Sequence, residues 1–587
     1  MVAYEWLQNS MSLYSRRHID FLLDEVIQMD SLLRNPYFAA HDREGLGFIL
    51  DAAHQLAEEV LNSAYTDSDR RPAKFSDGKI QTHPALSKFV NLYTESGFLS
   101  ASLPEKHEGI QVPKSVMAAA NFILLCSHNS FVMYPDLLSG CLSLIESYGS
   151  DEQKKQFIPK MTAGEWFGTM CLTEPDAGSS LSNIQTKAFP REDGTYRIKG
   201  QKIFISAGDH ELGENIIHMV LARMEGAPAG VRGISLFIVP KFDLESGSSN
   251  DVKTLGIFEK MGQKATPAVH LGFGSENNCK AYLLGKPHEG LKQMFKMMNE
   301  ARLGVGLSGI GMASAAFQRS LAYAKERKQG QKDKKEVAII EHADVRRMLL
   351  RQKAISDGGL ALLLQTYSYI DHLKTGLATE KYAALLDLLT PVCKTFGSEM
   401  GNLAVHEGMQ IFGGYGYTKD FPMEQMARDV RILSIYEGTT GIQSQALLGR
   451  QILATGNLSY FLEEINQVIE EGSQLSAIQA YAQILSQETT HLQEITLKLK
   501  AETDNEAALA DATVFMDYFG LVTVGWQWLK MAVVATRKLK ERFYGDLLYT
   551  ADYFFTYEFS RVHHLREVLK NDKKLTLENG GLSDFSS

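Results

Sequence analysis

Five short β-rich runs interrupt an otherwise helical chain. They are TMCLTE (169–174), YRIKGQKIFIS (196–206), IIHMVLARM (216–224), RGISLFIVP (232–240) and AVHLGFG (268–274). Each is rich in β-branched or aromatic residues and is set off by Gly, Pro, Asn or Asp turns, which predicts a compact β domain from about 166 to 285. Phe242 to Asp251 within it is a Ser/Gly-rich stretch and reads as a surface loop.

On both sides the spacing is helical. Phe21, Leu22, Val26 and Met29 recur on one helix face, as do Ile49, Ala52, Ala53 and Leu56, and Leu124 to Tyr148 is apolar and helix-like. His83-Pro84 and Leu103-Pro104 mark breaks. After Gly290, long helical patterns return. Gly304 to Glu326 is rich in small residues, which let helices approach closely. The charged run Arg327 to Glu336 reads as a connector, and Val337 to Leu373 and Glu380 to Phe412 read as long helices. Long helices joined by short loops predict an antiparallel bundle. A last helical block follows, with a polar tail, LENGGLSDFSS, that reads as frayed.

A chain of 587 residues is too long for one core. The predicted fold is mainly α with a central β domain. Its parts are an N-terminal α domain (1–165), a middle β-barrel-like domain (166–289), a C-terminal four-helix bundle (290–454) and an additional C-terminal helical domain (455–587).

Net charge narrows the function classes. The value is −10, whereas a nucleic-acid binder more usually carries a basic excess. The cysteines Cys126, Cys141, Cys171, Cys279 and Cys393 are odd in number and lack CxxC spacing. That argues against a disulfide framework or a zinc site, and no metal is expected. The first twenty residues lack a signal pattern, so the cytoplasm is the expected location. Val514 to Val534 is long enough to span a bilayer, but Asp517, Gln527 and Lys530 fall inside it, which favours a buried helix over a transmembrane one.

Four constellations and one carboxylate carry chemistry. Met170-Cys171-Leu172-Thr173-Glu174-Pro175 ends a strand in a turn, where backbone N–H groups and hydroxyls can bond the edge of a planar heterocycle. In Phe204-Ile205-Ser206 the period of two places an aromatic ring and a hydroxyl on one strand face, suited to stacking on a flavin. Asn299-Glu300-Ala301-Arg302 heads the bundle, and Arg327 and Gln329 follow its first helix; the forked guanidinium suits phosphates. Gln410-Ile411-Phe412-Gly413-Gly414-Tyr415-Gly416 lets backbone approach a phosphate or sugar, but it follows a helix and lacks dinucleotide-fold spacing. Finally, Ile435-Tyr436-Glu437-Gly438 sets a carboxylate between an apolar pair and a glycine. Lost hydration there would raise its proton affinity and suit it to act as a base.

In this order, TEPDAGSS, KIFIS, ARLGVG, the Glu-Arg-Lys at 326–328, QIFGGYGY and IYEGTTGIQ resemble the acyl-CoA dehydrogenase family across roughly residues 90 to 453. KMGQKATPA and the extra C-terminal block resemble its branch with a long C-terminal domain, which includes broad-range bacterial fatty acyl-CoA and methylmercaptopropionyl-CoA dehydrogenases. The resemblance implies FAD and an acyl-CoA thioester. It implies Glu437 as the α-proton base, because the alternative base position of some members is Ala301 here. Met170, Leu172 and Thr173 match the flavin edge. Phe204 replaces the usual Trp against the isoalloxazine, and Ser206 matches a hydroxyl near N5. Arg327 matches the pyrophosphate-holding Arg, while Gln329 stands where many relatives have Thr. Gln410 and Gly414 match groups reaching the FAD of a neighbouring subunit, which implies a homodimer at least. Thr439 matches another FAD contact, and Gly441, in place of a polar residue, offers backbone only. Ser179, Asn299, Arg302 and Gly438 match positions near the substrate.

In the family, Glu437's counterpart removes the pro-R α-proton while the β-hydride passes to flavin N5, which gives a trans-2-enoyl-CoA. The family's thioester oxygen accepts from the backbone N–H of that Glu and from a ribityl hydroxyl. Electrons then pass to an electron-transfer flavoprotein, as in fatty acid β-oxidation. Two rival readings are an acyl-CoA oxidase and a flavin-containing DNA-associated protein. The last block mixes Arg537, Lys538, Lys540 and Arg542 with Glu541 and Asp546, more like a solvated helix face than a DNA-binding surface.

Overall fold

The structure is a computed structural model that describes residues 11–578; the end of the LENGGLSDFSS tail lies outside them. The chain divides into two compact units. One comprises Gly47–Val112 and Ile123–Gly304, and the other the residues up to Leu46, Pro113–Phe122 and those from Val305 onward. The fold class is as expected: mainly helical, with one sizeable sheet.

In the first of these units that sheet has eight strands: β1 (Trp166–Cys171), β2 (Lys187–Pro190), β3 (Tyr196–Ser206), β4 (Asn215–Met224), β5 (Ile234–Pro240), β6 (Val252–Phe258), β7 (Ala268–Phe273) and β8 (Lys280–Leu283). Their order is β8-β5-β4-β2-β3-β7-β6, and β8 also pairs with β3, which closes a ring of five strands. β1 adds to β4 in parallel. Closure leaves β4 buried over eight consecutive residues, as expected of a strand covered on both faces. The core holds Val220, Phe237, Val239, Val269, Leu271 and Phe273. The strands β2, β6 and β8 were not among the runs legible in sequence; β2 and β8 are four residues each.

One strand departs from strict alternation. Lys202 pairs with Leu271 and Ile205 with Val269, so three steps on β3 match two on β7. This bulge changes the strand's phase. Lys202 and Ile205 are both buried, and Phe204 has a left-handed φ of 57°. Strict alternation therefore fails between Lys202 and Ile205, whereas Phe204, Ile205 and Ser206 are exposed, buried and half-buried in turn.

The second unit contains α2 (Ala343–Lys374) and α3 (Thr379–Phe412), together with most of the 37-residue helix α1 (Gly290–Glu326). The small residues act as expected. A Cβ on Gly309 would lie 2.1 Å from the carbonyl oxygen of Gly397, and one on Gly397 would lie 2.3 Å from that of Gly306. Backbone therefore touches backbone between α1 and α3.

Two sequence readings need correction here. The charged run after Arg327 is a β-hairpin, Lys328–Lys332 with Lys335–Ala338. Asp333 and Lys334 both have positive φ, as a tight primed turn requires. Consequently α2 starts at Ala343 and not at Val337. Leu124 to Tyr148 is also two helices, Lys114–Ser127 and Asn129–Tyr148; His128 caps the second by accepting from the Phe131 N–H.

The apolar stretch near Trp526 is helix α4 (Ala512–Thr536), with Trp526 and Trp528 fully buried. Trp528 Nε1 donates to the Ala354 carbonyl at 3.3 Å and Lys530 Nζ to Gln365 Oε1 at 2.7 Å, which fixes this helix to α2. Among the described residues no helix is long and apolar enough to cross a membrane.

Asp371 on α2 accepts from the Lys114 and Ser115 N–H groups and from Ser115 Oγ at 2.5–3.0 Å. Burial pushes its carboxyl up to about 6. A raised folded-state value means that its contribution to stability is full below about pH 4 and is lost as pH rises through 6. Asp371→Asn should therefore gain on the wild type by on the order of 2–3 kcal/mol between about pH 4 and pH 7. Chemical denaturation at both pH values measures this; a pH-independent difference would contradict it.

Candidate functional site

The unit containing the barrel carries the proposed flavin edge. β1 ends at Cys171, and a tight turn follows in which the Glu174 and Ala177 backbones bond reciprocally. Met170, Leu172 and Thr173 are half-buried beside it. The Ile203 N–H donates to the Thr173 carbonyl at 3.0 Å, so the β1 end and the β3 bulge are joined directly. Phe204 is 56% exposed despite its size, and its ring lies 4.4 Å from that of Phe258. An exposed aromatic held in a left-handed conformation is strained. Together these residues offer a flat apolar ring, the half-buried hydroxyls of Thr173 and Ser206, and strand-end backbone.

Two charged residues carry this arrangement, and neither was singled out in sequence. Lys202 is fully buried and pairs with the nearly buried Glu174 at 2.8 Å. An alternation signal could not reveal this, because a lysine inside a β run reads as solvent-facing.

The same unit holds the residues matched to CoA. Arg302 is buried to 7% exposure and donates to Asn299 Oδ1 at 3.0 Å. Ser179 is exposed in the loop after the Glu174 turn.

The other unit carries the carboxylate. After a 3-10 turn, Ile432–Ser434, Glu437 takes a φ of 55° and Gly438 one of 91°. Thr439 then caps the short helix Thr440–Gln445, accepting from the Ile442 N–H. The Glu437 carbonyl accepts from Gln443 Nε2 at 3.0 Å. Gln443 is fully buried, and a Cβ on Gly438 would lie 2.4 Å from its amide nitrogen. Gly438 is thus required both for its dihedral and for this contact. Gln443 is a holding residue that its place in IYEGTTGIQ did not disclose. Glu437 itself is half-buried and Ile435 is 48% exposed, so Ile435 does not supply the dry setting expected from the local sequence.

A second group in this unit is Arg327, Gln329 and the glycine turn. Arg327 donates to Gln329 Oε1 at 3.3 Å and lies 6.0 Å from the centre of the Tyr415 ring. Gly413–Tyr417 forms a 3-10 turn, and a Cβ on Gly414 would meet nothing within 4 Å. Gln410, Gly414 and Gln329 are exposed, as is Gly441; Thr439 is half-buried. A guanidinium, two amides and open backbone match the needs of a nucleotide diphosphate. In each unit, the residues present fit the part of FAD matched to them.

Comparisons with known proteins agree along the chain. The acyl-CoA dehydrogenase N-terminal domain model matches residues 48–165, the middle domain 169–275 and the C-terminal domain 288–453. A model described as acetyl-CoA dehydrogenase C-terminal like matches 461–579. A 3-methylmercaptopropionyl-CoA dehydrogenase of Ruegeria pomeroyi is 35% identical, over 92% of this chain and 94% of its own. A broad-specificity linear acyl-CoA dehydrogenase of Mycobacterium tuberculosis is 33% identical, over 90% and 91%. Among solved structures, an acyl-CoA dehydrogenase of Bacillus anthracis complexed with FAD shares the fold with a TM-score of 0.75 and 21% identity, covering 94% of this chain and 91% of its own.

Proposed function

The chain belongs to the acyl-CoA dehydrogenase family, and we propose that it is an FAD-dependent enzyme that converts an acyl-CoA thioester to its trans-2-enoyl-CoA, with Glu437 as the base. The observation that carries this reading is the left-handed turn at Glu437 and Gly438, clamped by Gln443. It spends backbone strain on placing one carboxylate.

Glu437 takes the α-proton of the thioester. The α-carbon is weakly acidic, so charge developing on the carbonyl oxygen needs a donor, and the Glu437 backbone N–H fills that role. Gly438 keeps the backbone open to a flat ligand. Asn299, Arg302 and Ser179 hold the CoA portion. Thr173 and Ser206 direct hydroxyls at the flavin edge, with Met170, Leu172 and Phe204 as its apolar walls. Arg327, Gln329, Gln410, Gly414, Thr439 and the Gly441 backbone hold the rest of the cofactor. Gln410 and Gly414 do so for a neighbouring subunit, which makes the enzyme a homodimer at least. When bound, FAD supplies the hydride acceptor.

The proposed substrate is a short or linear acyl thioester, a reading supported by relatives named for 3-methylmercaptopropionyl-CoA and for linear acyl-CoAs. The proposed electron acceptor is an electron-transfer flavoprotein, and the proposed setting is acyl-CoA catabolism in the cytoplasm. A panel of acyl-CoAs with a dye acceptor, scored by kcat/KM against chain length and branching, tests this reading. Turnover is expected with at least one of them. No turnover on any would overturn the reading, and rapid oxygen consumption without the dye would replace it with an oxidase.

A further inference from the structure

The barrel buries polar groups at Thr169, His218 and Ser235, and it also buries an ion pair. Lys202, with no exposed surface, and Glu174, at 5%, form an ion pair inside it. Such a pair is a poor stabiliser, since removing both charges from water offsets their attraction. What distinguishes it is where its hydrogen bonds go. Lys202 Nζ also donates to the Leu172 carbonyl at 2.9 Å. The Glu174 carboxylate accepts from the Thr186 N–H at 3.1 Å and the Gln185 N–H at 2.5 Å. Three donors, Lys202 Nζ and the Gln185 and Thr186 N–H groups, therefore make four hydrogen bonds to the segment that leads out of β1.

The same lysine marks where β3 changes phase. Lys202 and Ile205 are both buried although three positions apart, and between them Phe204 is left exposed with a positive φ. The next residue, Ile203, donates to the Thr173 carbonyl. One buried ammonium thus holds the carbonyl of Leu172 on one side and begins the bulge that turns out Phe204 on the other.

We infer that Glu174 and Lys202 are positioning residues for the cofactor: the buried pair sets the distance and orientation between the Leu172–Thr173 segment and the Phe204–Ser206 bulge. This rests on the reading of those two segments as the flavin edge. The pair touches neither cofactor nor substrate and acts through the backbone that does.

The test uses the full-length protein, stripped of flavin and titrated with FAD. Lys202→Met combined with Glu174→Gln removes both charges together and leaves no unpaired ion in the core. The double variant is expected to keep the wild-type far-ultraviolet circular dichroism while its FAD affinity falls about tenfold or more. The visible circular dichroism of its bound flavin should also change. A folded double variant with wild-type FAD affinity and flavin dichroism would overturn the inference. If the double variant does not fold, Glu174→Gln alone decides. It keeps an oxygen for Lys202 but turns a donor toward a backbone N–H, so weaker FAD binding with altered flavin dichroism is expected, and unchanged values would overturn the inference. Wild-type titration separates the two readings. A wild type that binds no FAD defeats the proposed function itself, whereas a flavin-binding wild type with unaltered variants defeats only the positioning role.

Discussion

Glu437→Gln should bind FAD and acyl-CoA as the wild type does and lose nearly all turnover. The amide is the same size as the carboxyl but cannot accept the α-proton. A positioned base contributes roughly 10²–10⁴-fold, and a loss of at least that size is expected in kcat with little change in ligand affinity. The backbone should not move, because Gln443 holds the Glu437 carbonyl and not its side chain. Ala301 stands at the alternative base position of some family members and provides no substitute. Flavin content, ligand titration and dye-linked kcat measure the three quantities separately. Near-normal dehydrogenation would show that another group takes the proton.

Gly397→Val should unfold the bundle or come close to it. The added Cβ would lie 2.3 Å from the Gly306 carbonyl oxygen and 2.6 Å from its Cα. Overpacking against side chains costs about 1–3 kcal/mol because side chains can move. Here the obstacle is the backbone of α1, so a loss above about 3 kcal/mol is expected. Gly545→Ala is the control, since a Cβ there meets nothing within 4 Å; it should gain about 0.5–1 kcal/mol from its helix position. Thermal and urea denaturation compare them. Equal stability of the two variants would show that α1 and α3 do not pack through these glycines.

Patterns of several residues were legible in the sequence. The small residues of Gly304 to Glu326 announced close helix packing, and the glycine contacts between α1 and α3 are that packing. The apolar run around Trp526 carried Asp517, Gln527 and Lys530, and those polar groups correctly favoured a buried helix over a spanning one. The five β-rich runs located the sheet. What escaped was set by single residues or by partners far away in sequence. The hairpin after Arg327 depends on two positive φ values at Asp333 and Lys334, and no periodicity encodes those. The bulge between Lys202 and Ile205 buries both residues, which alternation does not encode. Lys202 looks like a surface lysine until Glu174, 28 positions earlier, is seen beside it.

The candidate site followed the same rule. IYEGTTGIQ pointed to Glu437 through its composition and its resemblance to a family motif. The reason the carboxylate is held in place lies elsewhere, in the left-handed pair Glu437-Gly438 and in the buried Gln443 beneath it. The apolar neighbour Ile435, which carried the local argument for a dry carboxylate, is half-exposed. Arg327 and the glycine turn are 88 positions apart at Tyr415 and meet only in the folded unit.

The proposed reaction oxidises an acyl thioester between its α and β carbons, with Glu437 as the base and bound FAD supplying the hydride acceptor. Anaerobic mixing of the flavin-loaded protein with a linear acyl-CoA tests it in a single turnover, with flavin absorbance and the thioester product followed together. The expected result is loss of oxidised flavin absorbance with formation of one equivalent of trans-2-enoyl-CoA in the wild type, and neither change in Glu437→Gln. A flavin that stays oxidised in the wild type with every acyl-CoA, or that is reduced at the same rate in Glu437→Gln, would contradict it.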